Sequence, residues 1–384
     1  MQPIKFVLTK KVFVPVLLSI LLNACGNSST STVSASDSTT MHTSSDTIKS
    51  QKPKDLEPAG ARPSWGKDLT GPMAVVIEKL ISYNSPPIAT ISAIEARKLP
   101  SPADAAMAVI LEHKITLPVN NTDTTGKDID VAGGKIHLRI YTPKTGKDVY
   151  PVIVYYHGGG WVIADLNTYN SSAEALSNMV EAVVVSVGYR QGPENKYPTA
   201  HNDSYAAYQW VVKNTVSIKG APKLIAVVGE SAGGGLAAAV SMMARDKNFQ
   251  LPVHQVLVYP IAGYDFTTAS YKESDSFAPL SSSMMKWFFQ NYLKTPAQGK
   301  DPIISIVTSN LKGLPPTTII AAQYDPLRSE GELLSDNLKK ANVDVAYKLY
   351  KGTTHEFFGM GAVVPAAKDA EEYASDRLKK AFKK

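Results

Sequence analysis

The chain has 384 residues, 44% of them hydrophobic and 19% charged, a formal net charge of +6 and one cysteine. That length and composition supply a globular core of one large or two ordinary domains, and they exclude collagen-like, coiled-coil and disulfide-framework proteins. Lysines and arginines are scattered rather than interleaved with aromatics, so no nucleic-acid partner is expected.

At the N-terminus, Lys5, Lys10 and Lys11 precede an eleven-residue apolar run over 12–22. A spanning helix needs about 20 residues. The pattern therefore predicts a signal peptide over 1–24 rather than a transmembrane segment, and its removal leaves a charge of +3. Leu22-Asn23-Ala24-Cys25 resembles a bacterial lipobox and sits at the sole cysteine. Lipidation at Cys25 is expected, giving an exported protein held to a membrane through its N-terminus. Gly26, not Asp, follows the cysteine, so no inner-membrane retention signal is implied; the periplasmic face of an outer membrane, or the cell surface, is the expected location. Residues 28–50 contain fifteen Ser or Thr in twenty-three positions. They bury too little apolar surface to offset ordering entropy. A tether over 25–66 follows, extended by Pro53, Pro58 and Pro63.

The folded part is expected over 67–384. Leu69, Met73, Val76, Ile77 and Leu80 recur at helical spacing, and 103–111 forms a second helix behind Ser101-Pro102 with Asp104 in its first turn. From about residue 128 short apolar strands alternate with helix-length segments. Strands are predicted at 136–141, 152–156, 182–187, 224–228, 255–259, 317–321 and 345–349, and helices at 170–180, 203–214, 232–245 and 329–341. This rhythm predicts an α/β fold, a mostly parallel central sheet with helices on both faces. Residues 262–300 interrupt it with Met284, Met285, Trp287, Phe288 and Phe289 and no strand. Near the C-terminus, acids (Glu371, Glu372, Asp376) precede bases (Arg377, Lys379, Lys380), the order a terminal helix favours.

Four strand ends carry chemistry. Gly229-Glu230-Ser231-Ala232-Gly233 follows 224–228 directly, a G-x-S-x-G turn that presents a serine hydroxyl between strand and helix. His157-Gly158-Gly159-Gly160-Trp161 follows 152–156, and its glycines leave backbone N–H groups free to face a cavity. A phosphate loop is disfavoured, since no G-x-x-x-x-G-K-[ST] pattern is present, and a plain glycine turn is the other alternative. Asp325 follows 317–321 and either orients a histidine or caps the helix near Ser329. His355 follows the last strand; its surroundings are not H-E-x-x-H, so no metal is expected, and nothing else calls for a cofactor. The order Ser231, Asp325, His355 is that of α/β-hydrolases. Asp203 and Asp265 are the alternative acids. Among the other histidines, His157 is expected to be structural, and His113, His137 and His254 to face solvent.

Together with Tyr189-Arg190, Pro193-Glu194, Pro198-Thr199-Ala200, Asp325-Pro326-Leu327-Arg328 and His355-Glu356-Phe357, these motifs resemble the hormone-sensitive-lipase family of bacterial esterases, family IV, over roughly 128–384. The 94-residue Ser–Asp and 30-residue Asp–His separations fit it as well. The resemblance implies an α/β-hydrolase fold and hydrolysis of short- to medium-chain esters by Ser231, Asp325 and His355. It further implies oxyanion donors at Gly159, Gly160 and Ala232, a small-molecule ester substrate, and a helical cap near 68–115 and 262–300. The chain departs from the family at Glu230, usually Asp, at Gly235, often Asn, and at Gln191-Gly192, often Leu-Ala. An amidase or peptidase, or a non-catalytic binding protein on the same fold, are the alternatives.

Overall fold

The computed structural model describes residues 52–383. Cys25, the expected signal peptide and most of the expected tether lie outside them. Eight strands form one sheet: β1 Thr122–Val131, β2 Gly134–Pro143, β3 Tyr150–Tyr156, β4 Val183–Gly188, β5 Gly220–Glu230, β6 Gln255–Val258, β7 Thr317–Tyr324 and β8 Val345–Thr354, in the order β1-β2-β4-β3-β5-β6-β7-β8. The helices are α1 Gly71–Ser82, α2 Ala93–Ala96, α3 Pro102–Glu112, α4 Asn170–Val180, α5 Thr199–Asn214, α6 Ala232–Asp246, α7 Ala269–Glu273, α8 Ser282–Tyr292, α9 Arg328–Lys340 and α10 Pro365–Phe382. This is the α/β-hydrolase fold. β2 runs antiparallel to its neighbours, and every pairing from β4 to β8 is parallel.

The strand sequences show why the sheet is sandwiched. Val152, Val154 and Tyr156 of β3 join one core with Ile225 and Val227 of β5 and with α6 residues such as Leu236 and Val240. The alternate residues Ile153, Tyr155, Ala226 and Val228 join the opposite core with Leu176 of α4 and Leu378 of α10. With both faces covered, continuous apolar runs are favoured over alternation. Each fully buried Val or Ile contributes about 1.5–3 kcal/mol.

Two features depart from the sequence reading. β1 was not expected: only Thr122 and Ile129 of its ten residues are buried. It is an edge strand held to β2 by its backbone ladder, from Thr122 opposite Pro143 to Val131 opposite Gly134. The fold also begins before residue 67. Leu56 is fully buried against α1, and Trp65 packs on Phe277 at 5.3 Å between ring centroids. One buried leucine among prolines carries no periodicity, so composition alone reads this stretch as linker. The second N-terminal helix forms as expected: Ser101 Oγ accepts from the Asp104 N–H at 3.2 Å, and Asp104 Oδ2 accepts from the Ser101 N–H at 2.7 Å.

The chain leaves β3 for β4 on one side and returns to β5 on the other, so the sheet order reverses at β3. Open parallel sheets bind ligands at the carboxyl ends of strands beside such a reversal.

Candidate active site

Register brings the four strand ends together. Tyr156 of β3 pairs with Gly229 of β5, which sets the His157–Gly160 loop beside Ser231. Tyr324 of β7 pairs with Thr354 of β8, which sets Asp325 beside His355.

Ser231 has φ 56° and ψ −119°, a left-handed strain held by the structure on both sides. Its N–H donates to Val258 O at 2.9 Å, while its carbonyl accepts from the Ile261 and Gly235 N–H groups at 3.0 and 3.1 Å. The turn also demands bare neighbours: a Cβ on Gly233 would lie 2.0 Å from Tyr156 O, and one on Gly229 would lie 2.0 Å from Gly233 O. Ala232 opens α6, and the first N–H groups of a helix have no intrahelical acceptor.

His355 lies between the other two residues. Its Nδ1–H donates to Asp325 Oδ2 at 2.7 Å, and its Nε2 accepts from Ser231 Oγ at 2.9 Å. A carboxylate only accepts, which fixes the proton on Nδ1. The second Asp325 oxygen, Oδ1, accepts from the Leu327 N–H at 2.8 Å and ties the residue to the turn that leads into α9. Burial lowers the His355 pKa, but the charge and hydrogen bond of Asp325, with Glu356 and Glu230 behind them, reverse this and raise it above the ordinary value.

The glycine loop packs tightly. Gly159 has φ +94°, and a Cβ there would meet Ile163 O at 2.1 Å; Gly160 has φ +58°, and a Cβ there would meet the Phe288 ring at 2.2 Å. His157 is buried and stacked on Tyr189 at 4.3 Å, and burial lowers its pKa to about 4, so it stays neutral.

Glu230, the longer acid at the family's usual Asp position, is fully buried. Tyr155 OH donates to one of its oxygens at 2.5 Å and Tyr259 OH to the other. Tyr259 lies against His355 at 4.4 Å between ring centroids. Burial raises the Glu230 pKa to about 8 despite those hydrogen bonds. Sequence reasoning missed both tyrosines; their positions at β3 and just past β6 were the available signal. Gly235 also has a local reason, since a Cβ there would lie 2.5 Å from Ile261 O.

The alternative acids are committed elsewhere. Asp203 is buried in a bidentate pair with Arg190 at 2.7 and 2.9 Å, and Asp265 accepts from Thr267. His254 corrects the expectation of a solvent-facing ring: it is 2% exposed, with Nε2 2.9 Å from Thr318 Oγ1. It precedes β6 and points toward β7, where a polar partner satisfies it. His137 is largely exposed and pairs with Asp128 at 2.6 Å.

Ser231, His355, Gly159 and Gly160 line one cavity of about 570 Å³. Leu80 of α1 and Leu99 of the α2–α3 connection close it on one side; Phe277, Met284 and Phe288 close it from 262–300. Trp287 Nε1 donates to Ile91 O at 3.1 Å and joins those two walls. Among the described residues there is no helix long and apolar enough to cross a membrane, and no cluster of His, Cys, Asp or Glu suited to a metal.

The family model described as alpha/beta hydrolase fold (Abhydrolase_3) matches residues 153–359. The carboxylesterase NlhH of Mycobacterium tuberculosis is 35% identical over 251 residues, covering 64% of this chain and 79% of the relative. The ethyl acetate hydrolase of Pseudomonas putida is 29% identical, covering 61% and 75%. A crystal structure of a thermostable esterase from Pseudomonas putida superposes with a TM-score of 0.76 at 32% identity, over 82% of this chain and 98% of that one. The chain belongs to the hormone-sensitive-lipase-like family of α/β-hydrolases. It is a carboxylic ester hydrolase.

Proposed function

We propose that this ester hydrolase works through Ser231 as nucleophile, His355 as general base and Asp325 as the group that orients it. The observation that carries this reading is His355 bridging Ser231 Oγ and Asp325 Oδ2 at the floor of the cavity. Ser231 Oγ attacks the ester carbonyl carbon while Nε2 takes its proton. The resulting oxyanion is met by the N–H groups of Gly159, Gly160 and Ala232, each such donor being worth about 3 kcal/mol. The intermediate collapses, Nε2 gives its proton to the departing alkoxide, and an acyl-enzyme remains. Water then attacks it, again losing a proton to Nε2, and the acid leaves with Ser231 regenerated.

The substrates under this reading are esters of short to medium acyl chains, with 68–115 and 262–300 acting as a cap. A cavity of about 570 Å³ with apolar walls supports it, as does the relative that hydrolyses ethyl acetate. Across aryl esters of increasing length, kcat/KM is expected to peak between about two and eight carbons. A maximum at palmitoyl esters, enhanced at a lipid interface, contradicts this. A butyryl ester and its matching anilide separate esterase from amidase: the ester is expected to turn over much faster, and a preferred anilide reverses the assignment.

The protein is further proposed to be exported and tethered through a lipid on Cys25. The supports are Lys5, Lys10 and Lys11, the apolar run over 12–22 and the sole cysteine in Leu22-Asn23-Ala24-Cys25. Acyl chains attach at about 0.8 kcal/mol per buried CH₂, so several hold firmly. Wild-type protein is expected to incorporate labelled fatty acid, and Cys25→Ser to lose both the label and membrane retention. Unlabelled wild-type protein starting at another residue overturns the proposal.

A further inference from the structure

Glu356 follows His355 directly and holds a strained backbone, φ +67°. Its carboxylate turns back toward the reacting groups, with Oε1 3.7 Å from His355 Nε2. Tyr169 OH donates to the same oxygen at 2.6 Å and fixes it there. The Tyr169 hydroxyl also lies close against the glycine loop, where a Cβ on Gly158 would come within 2.2 Å of it. Glu356 lines the cavity that holds Ser231.

Among the described residues no other acid is so placed. Glu230 is fully buried beneath its two tyrosines, and Asp325 is fully buried on the Nδ1 side of the imidazole. Asp104 reaches the cavity wall but caps α3 through Ser101. Arg97, the cation in the lining, is spent on Glu194 at 2.8 and 2.9 Å and on the carbonyls of Val162 and Gly192.

The leaving oxygen must come within about 3 Å of Nε2 to receive its proton. Atoms up to three bonds beyond it on the alcohol half then fall within reach of Glu356. The acyl half is directed elsewhere, since its carbonyl oxygen faces the glycine loop. We propose that Glu356 selects the alcohol half of the ester: alcohols carrying a hydroxyl beside the ester oxygen are favoured through a hydrogen bond to its carboxylate, and alcohols carrying a carboxylate there are rejected. A half-buried carboxylate, its side chain 19% exposed, repels a like charge placed against it and rewards a group that can donate to it over one that cannot. This inference rests on the Ser231–His355 reading and names the substrate class within it.

The test uses 2-hydroxyethyl, propyl and carboxymethyl butyrates. All three give the same butyryl-enzyme, so differences in kcat/KM belong to the steps up to alcohol departure. Each rate is divided by the hydroxide-catalysed rate of that ester. The wild-type enzyme is expected to prefer 2-hydroxyethyl over carboxymethyl butyrate by about 100-fold, with propyl between them. In Glu356→Gln, which keeps shape and an acceptor for Tyr169, that ratio is expected to fall at least about tenfold. A purely structural role would lower all three esters together, and a ratio moved by less than about threefold overturns the proposal. If the variant does not fold, the wild-type ratio still decides, and a value below about three overturns it. Ser231→Ala separates the two claims. Undiminished turnover in that variant sinks the Ser231 reading, whereas Ser231-dependent turnover with an unmoved ratio sinks only the role of Glu356.

Discussion

Replacing Ser231 with alanine is expected to leave a folded protein with kcat reduced about 10⁴–10⁶-fold. The large loss follows from the geometry: Oγ is the atom hydrogen-bonded to His355 Nε2, and among the described residues no other hydroxyl bonds that nitrogen. The small structural effect follows from the same residue. Its strained turn is held by backbone bonds to Val258, Ile261 and Gly235, none of which uses the side chain. Alanine meets the same φ as serine and removes one buried oxygen that donates to a single partner. The melting temperature is expected to stay close to wild type while ester turnover collapses. More than a tenth of wild-type activity in the purified variant contradicts the assignment.

Asp325→Asn is expected to lower kcat about 10⁴-fold. Asn can still accept from Leu327, so the turn into α9 survives. What it loses is the fixed choice of proton on Nδ1: an amide presents either a donor or an acceptor to that nitrogen, and the wrong tautomer leaves Nε2 unable to take the serine proton. The pH profile carries a second signature. As the proposed base His355 must be neutral, so activity is expected to fall as pH drops through its pKa. Burial lowers that pKa and Asp325 raises it. With the carboxylate gone, the acid limb of kcat/KM is expected to move to lower pH. The double variant Ser231→Ala/Asp325→Asn is expected to be about as inactive as Ser231→Ala alone, because in the proposed mechanism both residues act through His355. Multiplied losses, or an unmoved acid limb, point to a different acid.

The sequence made much of this site legible because its parts sit at strand ends. Ser231, Asp325, His355 and the glycine loop each follow an apolar run, and parallel strands in register carry such ends to one edge of the sheet. β1 was hidden for the converse reason. Thr122 to Val131 has polar residues on both faces, and its pairing with β2 uses backbone groups that leave no trace in side-chain periodicity. Leu56 and His254 were misread because burial of a single residue depends on what lies across from it, Leu56 against α1 and His254 beside Thr318. The same limit applies to Glu230. Its substitution for Asp was visible, but Tyr155 and Tyr259 reach it from 75 and 29 residues away. Glu356 read as part of a family motif, and only the fold showed its carboxylate beside Nε2.

The central claim is that Ser231 is the nucleophile. Its most direct test is labelling by an organophosphate that phosphorylates activated serines, followed by peptide mass mapping. One covalent adduct per chain is expected, on Ser231, formed in step with the loss of ester hydrolysis and absent from Ser231→Ala. Full inactivation with the adduct on another residue, or undiminished turnover after Ser231 is labelled, would contradict it.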